Sequence, residues 1–117
     1  MELTYELAQP IVTKINNALN YNINIMNLEG IIIASSDLKR INTFHKGALD
    51  VVKTKKEKII YPSDTNKMLG TKPGVNLPIY IHGRCIGAVG ITGNPDDVYN
   101  IASILKLATE ALIQQKY

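Results

Sequence analysis

The chain has little cysteine, few aromatic residues and no long hydrophobic run. Cys85 is the only cysteine among the 117 residues, so no disulfide can form within the chain, as is usual in a reducing cytosol. No segment approaches the roughly 18 consecutive apolar residues that a membrane span requires. The first residues lack the basic start and the apolar core of a signal peptide. We therefore expect a cytoplasmic protein without a membrane segment.

Length and composition predict one globular domain over residues 1–117. An apolar fraction of 45% is ordinary for a soluble domain. A chain of this length can bury a hydrophobic core without the support of a metal or a disulfide.

The only basic cluster contains Lys53, Lys55, Lys56 and Lys58, and the net charge is a mild +3. Lysines in the last turn of a helix complement the helix dipole and remain hydrated. No aromatic residues alternate with them, and neither a helix-turn-helix nor a zinc pattern is present. A solvated helix end therefore explains the cluster better than direct binding of nucleic acid.

Motifs of common enzyme classes are missing. The sequence has no P-loop, no nucleophile elbow and no metal-ligand spacing. The glycines between Gly87 and Gly90 do not form a dinucleotide fingerprint, because no turn and helix follow at the required spacing. Of the two histidines, His82 falls in a predicted hairpin turn, where exposure is expected. We predict neither an enzyme nor a bound cofactor.

Apolar periodicity predicts an α+β domain with a central antiparallel sheet of about five strands and helices at both ends. Pro10 should kink or split the first helix, and Asn94 should cap the last one, with Pro95 as its first residue. A polar loop is expected over residues 63–72. The predicted helices cover residues 3–19, 43–56 and 95 onward, and the predicted strands cover residues 22–28, 31–34, 58–61 and two segments between 73 and 95.

The strand pair between residues 73 and 95 turns at His82-Gly83-Arg84 and ends in a wall of small residues. Ile86, Ala88, Gly90 and Thr92 share one face of the second strand and become smaller toward its end. Glycine within a strand is tolerated where backbone or ligand approaches closely. This face either leaves room for a ligand or packs tightly under a helix.

The connection into the middle helix is the strongest candidate for a binding site. Thr43 or Asn42 can cap the helix, which would leave its first amides open to an anion. Arg40 precedes the helix, and His45 and Lys46 fall in its predicted first turn, where cations oppose the helix dipole. The planar fork of an arginine suits a carboxylate. The alternative is a surface pair of Arg40 with Asp37.

Three sequence motifs carry a resemblance to a known family. They are Ser-Ser-Asp-Leu-Lys-Arg-Ile-Asn-Thr-Phe-His-Lys-Gly-Ala at 35–48, Gly-Val-Asn-Leu-Pro at 74–78, and Ile-Gly-Ala-Val-Gly-Ile-Thr-Gly-Asn-Pro at 86–95. In this order they resemble the sugar-diacid recognition domain of carbohydrate diacid regulators, which are bacterial transcription activators. The similarity covers nearly the whole chain.

The resemblance implies a PAS- or Cache-like sensor that binds a small carboxylate such as glucarate, galactarate or glycerate. Lys46 departs from the family, whose members often have an acidic residue there; it either favours a more acidic ligand or points to solvent. The ligand-binding residues that the resemblance and this departure implicate are Arg40, Ile41, His45, Lys46, Gly74, Val75, Asn76, Leu77, Gly90, Thr92 and Gly93.

The terminal helices predict a homodimer. The apolar stripe of the last helix is widened by Ile104, Leu107 and Ala111, beyond what one sheet face needs. The helix-turn-helix half of such regulators is absent from this chain, so DNA would be engaged only indirectly, through that missing domain. A ligand-free PAS-like dimerisation scaffold is the alternative function.

Overall fold

A computed structural model describes residues 2–67 and 71–116 of the chain. Within these residues, three helices surround one five-stranded sheet, as the sequence predicts. In chain order the elements are α1 (Tyr5–Leu19), β1 (Ile23–Met26), β2 (Ile32–Ser35), α2 (Lys46–Thr54), β3 (Lys58–Ile60), β4 (Gly74–Ile81), β5 (Arg84–Thr92) and α3 (Pro95–Gln114).

The sheet has the strand order β2-β1-β5-β4-β3, and every neighbouring pair is antiparallel. The hairpin of β4 and β5 turns at His82 and Gly83, whose φ angles of 51° and 78° fit the type I′ turn that matches strand twist. His82 is exposed, so the predicted position and exposure of the turn are confirmed. The predicted loop over 63–72 contains a 3-10 helix, Pro62–Lys67, and residues 68–70 lie outside the described part.

The two faces of the sheet have different partners. Helices α1 and α3 cover one face, where Ile25, Val89 and Leu105 belong to the larger apolar cluster. Helix α2 covers the other face, where Met26, Ala88 and other residues form a smaller cluster. The candidate functional site lies on this second face, beside α2.

A bulge in β5 changes which residues share a face. Ile79 pairs with Gly87 and Tyr80 pairs with Cys85, so Ile86 is the extra residue of the ladder. The side-chain alternation is interrupted there, and Ile86 packs in the larger cluster. The expectation that Ile86 continues the wall of Ala88 is therefore wrong.

Helix α1 remains one helix despite Pro10. Thr4 caps it, with Oγ1 accepting from the Leu7 amide at 3.3 Å. Pro10 and Glu6 are both exposed, so the Glu6 carbonyl that loses its N–H partner can bind water. Of the two predicted outcomes, a kink or a split, the split is wrong for that reason.

Helix α2 begins three residues later than predicted, and His45 is its N-cap in place of Thr43 or Asn42. The preceding residues are held in extended form: Phe44 bridges to Ile31, and the His45 amide donates to the Gly30 carbonyl at 2.7 Å. A tertiary contact therefore delays the helix. At α3 the predicted cap is confirmed, because Asn94 Oδ1 accepts from the Asp96 amide at 3.0 Å.

A charged pair on α3 covers the edge of β4 beyond its short pairing with β3. Lys106 and Glu110 form an ion pair at 2.8 Å. Lys106 also donates to the Pro78 carbonyl at 2.6 Å, and Glu110 accepts from the Tyr80 amide at 2.7 Å. Backbone groups that could pair with another strand are thereby occupied. Among the described residues, none of the helices combines the length and apolar character needed to cross a membrane.

Candidate functional site

One row of cross-strand partners on the α2 face is polar, and we call it the polar row. Cross-strand partners share a face of the sheet, and this row runs through all five strands. Its inner members Asn24 and Asn76 are only 2% and 3% exposed. From β2 to β3 the row is Ser35, Asn24, Gly90, Asn76 and Lys58.

Arg40 lies beside Asn24, the member of the polar row on β1. It closes a 3-10 turn, Leu38–Arg40, that Asp37 caps. We assign the Asn24 amide with its oxygen toward Arg40, because only this orientation pairs donors with acceptors. Arg40 NH1 then donates to Asn24 Oδ1 at 3.0 Å, and Asn24 Nδ2 donates to Ser35 Oγ at 2.6 Å.

The charge of Arg40 is half-buried and close to other polar groups. Burial lowers the pKa of its guanidinium, and the nearby Asp37 carboxylate acts in the opposite direction. The expected neighbour Asp37 is thus present, but the bond to Asn24 directs the guanidinium to the sheet face. The arrangement places a desolvated, oriented cation above the polar row.

His45 is buried and neutral. Burial, helped by the positive charge of Arg40, lowers the pKa of the imidazole from 6.5 to about 4. Nδ1 accepts from the Ala48 amide at 2.9 Å, so the proton of the neutral ring lies on Nε2. The ring therefore caps α2 with one nitrogen and offers a hydrogen-bond donor with the other.

Gly90 is the centre of the polar row, and it leaves room for a neighbouring amide. A β carbon at position 90 would collide with Asn76 Oδ1 and would lie 3.3 Å from Met26 Cε. The side chain of Asn76 makes no hydrogen bond to another described residue. The space left by the glycine thus holds a buried amide that can both donate and accept.

The first amides of α2 are already occupied. The Gly47 amide donates to Thr71 Oγ1 at 3.2 Å, and the Ala48 amide donates to His45. The expectation that the first amides are open to an anion is therefore not met at these two positions. Side chains, rather than the helix amides, supply the polar groups of the site.

Several predicted site residues lie elsewhere. Val75 and Leu77 alternate with Asn76 along β4, so they face α1 and α3 and pack in the larger apolar cluster. A β carbon at Gly74 would collide with the Ile91 carbonyl oxygen, so that glycine serves the approach of two strands. Ile41 is half-buried and directly follows Arg40.

Thr92, Gly93 and Lys46 are also separate from the polar row. Thr92 and Gly93 line a different cavity of about 470 Å³ together with Tyr61, Asp96 and neighbouring residues. Lys46 forms an ion pair with Asp50 at 2.7 Å, one turn along α2. The Lys46 side chain is thereby paired with a residue of its own helix. The structure therefore brings together Arg40, His45, Asn76 and Gly90 out of the predicted set.

Sequence reasoning missed Asn24, Ser35 and Thr71. An asparagine that alternates with isoleucines in a strand is typical of a solvent-facing position. The alternation in residues 22–28 therefore indicates that Asn24 faces solvent. Only the pairing of Asn24 with Gly90 shows that this asparagine is buried in the same row as the glycine. The β1–β5 register was the signal needed to find it.

The fold is PAS/GAF-like. The GAF domain of an Acinetobacter phosphoenolpyruvate-protein phosphotransferase matches 97% of this chain and 84% of its own, with a TM-score of 0.64 and 9% identity. The GAF domain of the nutrient sensor CodY from Clostridium difficile matches 87% of this chain and 81% of its own, with a TM-score of 0.56 and 15% identity. The type II free methionine-R-sulfoxide reductase of Thermoplasma acidophilum matches 95% and 92%, with a TM-score of 0.60 and 17% identity, so this fold also occurs in an enzyme.

Residues 3–117 match the family described as "Putative sugar diacid recognition", and the chain belongs to it. The carbohydrate diacid regulator of Escherichia coli is 31% identical over 113 residues, which are 97% of this chain and 29% of that protein. The protein YsfB of Bacillus subtilis is 30% identical over 93% of this chain and 30% of its own length. The chain thus spans about a third of the curated relatives it matches. The family consists of regulator recognition domains rather than enzymes, and the resemblance inferred from the motifs is confirmed.

Proposed function

We propose that this chain is the ligand-sensing domain of a cytoplasmic bacterial transcriptional regulator. Its ligand is a small sugar acid or diacid of the glucarate, galactarate or glycerate type, bound above the polar row beside the start of α2. The regulated DNA is contacted by a separate helix-turn-helix domain. The similarity to the E. coli carbohydrate diacid regulator and to the sensor fold of CodY supports this assignment.

The buried polar row is the observation that carries the proposal. Burying an amide without a partner costs roughly 1–3 kcal/mol, and a core position for α2 would be satisfied by apolar side chains. The adjacent row contains Met26, Ala88 and Pro78, of which Met26 and Ala88 belong to the cluster with α2. In the next row Asn24 is bonded to Arg40 and Ser35, whereas the amide of Asn76 makes no hydrogen bond to another described residue and suits a hydroxyl group of a polyhydroxylated ligand.

The polar groups divide into two kinds of partner. Arg40 supplies the positive charge for a carboxylate, in an orientation that Asn24 fixes. His45 donates from Nε2, and Asn76 can both donate and accept, so these two suit hydroxyl groups. A sugar acid carries both functions within one small molecule.

A thermal-shift screen tests the proposal. Glucarate, galactarate, glycerate and tartrate are compared with neutral sugars on the wild-type chain. A ligand at about 100 times its dissociation constant adds roughly 2.7 kcal/mol to the free energy of unfolding. We expect stabilisation by at least one acid and none by the neutral sugars. Stabilisation by none of them would favour the ligand-free dimerisation scaffold.

Arg40→Ala is the decisive variant, and Arg84→Ala is its matched control because Arg84 is exposed at the start of β5. A hydrogen bond to a charged group contributes about 1.5–3 kcal/mol, so Arg40→Ala should weaken binding more than about tenfold. Arg84→Ala should bind like the wild type. Equal binding by both variants would place the carboxylate away from Arg40.

A further inference from the structure

Gln9 of α1 holds the end of β2 by two hydrogen bonds. Its Nε2 donates to the Ser35 carbonyl at 3.0 Å, and its Oε1 accepts from the Ser35 amide at 2.9 Å. β2 is an edge strand, so these are the backbone groups of Ser35 that face away from β1. The side chain of one residue in α1 therefore substitutes for a further strand at this position.

Ser35 also belongs to the polar row. Its side chain is fully buried, and Oγ lies 2.6 Å from the amide of Asn24. The same oxygen accepts from the Asp37 amide at 3.0 Å. Asp37 in turn caps the 3-10 turn that ends at Arg40. Ser35 is thus bonded to α1 through its backbone and to the surroundings of Arg40 through its hydroxyl.

From these contacts we propose that Gln9 is a positioning residue, and that Gln9, Ser35 and Asn24 connect Arg40 to α1. Gln9 bonds the backbone of Ser35, the hydroxyl of Ser35 accepts from Asn24, and Asn24 accepts from Arg40. Gln9 makes both of its hydrogen bonds to Ser35, and Asn24 bonds both Ser35 and Arg40, so a displacement of the guanidinium should change the hydrogen bonds of the amide of Gln9. A shift of Arg40 on carboxylate binding would thereby reach α1, a terminal helix of the domain.

The direct test uses the protein without a ligand, so it does not depend on the proposed function. The chain has three glutamines and two arginines, so their side-chain N–H signals in a two-dimensional NMR spectrum are few and assignable. We compare Arg40→Lys with the matched variant Arg84→Lys. The side-chain amide of Gln9 should shift by more than its linewidth in the first variant only, and the exposed Gln114 and Gln115 should not move in either.

The reverse experiment controls for a local structural change that the lysine at position 40 causes by itself. In Gln9→Met the Nε–H signal of Arg40 should shift and that of Arg84 should stay, whereas Gln115→Met should move neither. A connection through Ser35 and Asn24 should be visible from both ends. An unmoved Gln9 signal in folded Arg40→Lys, or an unmoved Arg40 signal in folded Gln9→Met, would overturn the connection.

The last measurement separates this proposal from the proposed function. With a sugar acid that stabilises the wild type, hydrogen exchange of the α1 amides should slow, and this slowing should be lost in Gln9→Met. Slowing that persists in Gln9→Met would contradict the connection while leaving ligand binding intact. Absence of binding by every acid would contradict the proposed function, and the ligand-free shifts would still decide the connection.

Discussion

Asn76 and Gly90 lie directly opposite each other on β4 and β5, and the amide oxygen of Asn76 fills the space that a side chain at position 90 would need. The glycine is therefore matched to a particular polar side chain. On the other strand that borders β5, Asn24 is also opposite Gly90. The centre of the proposed site is a glycine between two buried amides.

Gly90→Ala should impair binding more than folding. The new methyl group displaces the end of the flexible Asn76 side chain, so the cost in stability should be about 1 kcal/mol, at the low end for overpacking. Loss of one oriented amide should weaken sugar-acid binding about tenfold. Calorimetric titration and chemical denaturation of the same variant measure both quantities.

Gly87→Ala is the matched control on the same strand. A β carbon there would collide with the Met26 carbonyl oxygen and would lie 2.7 Å from Leu3 Cδ1, and backbone cannot move aside as a side chain can. Its destabilisation should reach about 3 kcal/mol. If Gly90→Ala is the more destabilising of the two, the face at Gly90 is tight packing rather than a binding site.

Acid should destabilise the domain through His45. The pKa of His45 is about 4 in the folded chain, below its ordinary value of 6.5, so the unfolded chain takes up the proton first. The contribution of His45 to the free energy of unfolding is fully present above about pH 6.5. It falls by about 3 kcal/mol in all as the pH decreases toward 4. Urea denaturation between pH 4 and 7 measures the slope.

His45→Asn removes the titration and keeps an N-cap acceptor. Its stability should vary less between pH 4 and 7 than that of the wild type. His82→Asn is the control, because His82 is exposed in the β4–β5 turn and the variant should keep the wild-type slope. A wild-type slope in His45→Asn would assign the acid sensitivity to other groups.

Glu110→Ala should expose the edge of β4. It leaves the Tyr80 amide and Lys106 without this carboxylate, and an unsatisfied buried partner costs about 1–3 kcal/mol. Among the described residues, Lys46–Asp50 is a second ion pair with the same spacing, in which the side chains are more exposed. Asp50→Ala breaks it, and the cost should stay below about 0.5 kcal/mol. Equal losses in the two variants would show that Glu110 acts only as a helix surface charge.

Leu107→Glu tests the homodimer that the sequence predicts. Ile104 and Leu107 are 68% and 64% exposed and lie three residues apart on α3, so their side chains are neighbours on the helix surface and form an apolar patch that a second copy could cover. The variant should be a monomer by light scattering at tens of micromolar, where the wild type should be a dimer. Leu28→Glu, at a leucine that is 53% exposed in the β1–β2 turn, should remain dimeric. A monomeric wild type would contradict the interface.

Local chemistry in the sequence determined the turn and the last helix. His82-Gly83 sits between two apolar runs, and Asn94-Pro95 joins a cap to a residue that suits the first helical position. These features depend on neighbours in the chain, so the sequence predicts them directly. The order of helices and strands follows from apolar periodicity in the same way.

Tertiary contacts decided the parts that periodicity could not. The bridge between Ile31 and Phe44 delays α2 and makes His45 its cap. The strand register joins Asn24, Gly90 and Asn76, which are far apart in sequence, and turns Val75 and Leu77 to the opposite face. The resemblance implicated Arg40 and His45, but their relation to Asn24 depends on which strands are neighbours. Only the folded sheet fixes that relation, because hydrogen-bond register rather than sequence distance sets which side chains meet.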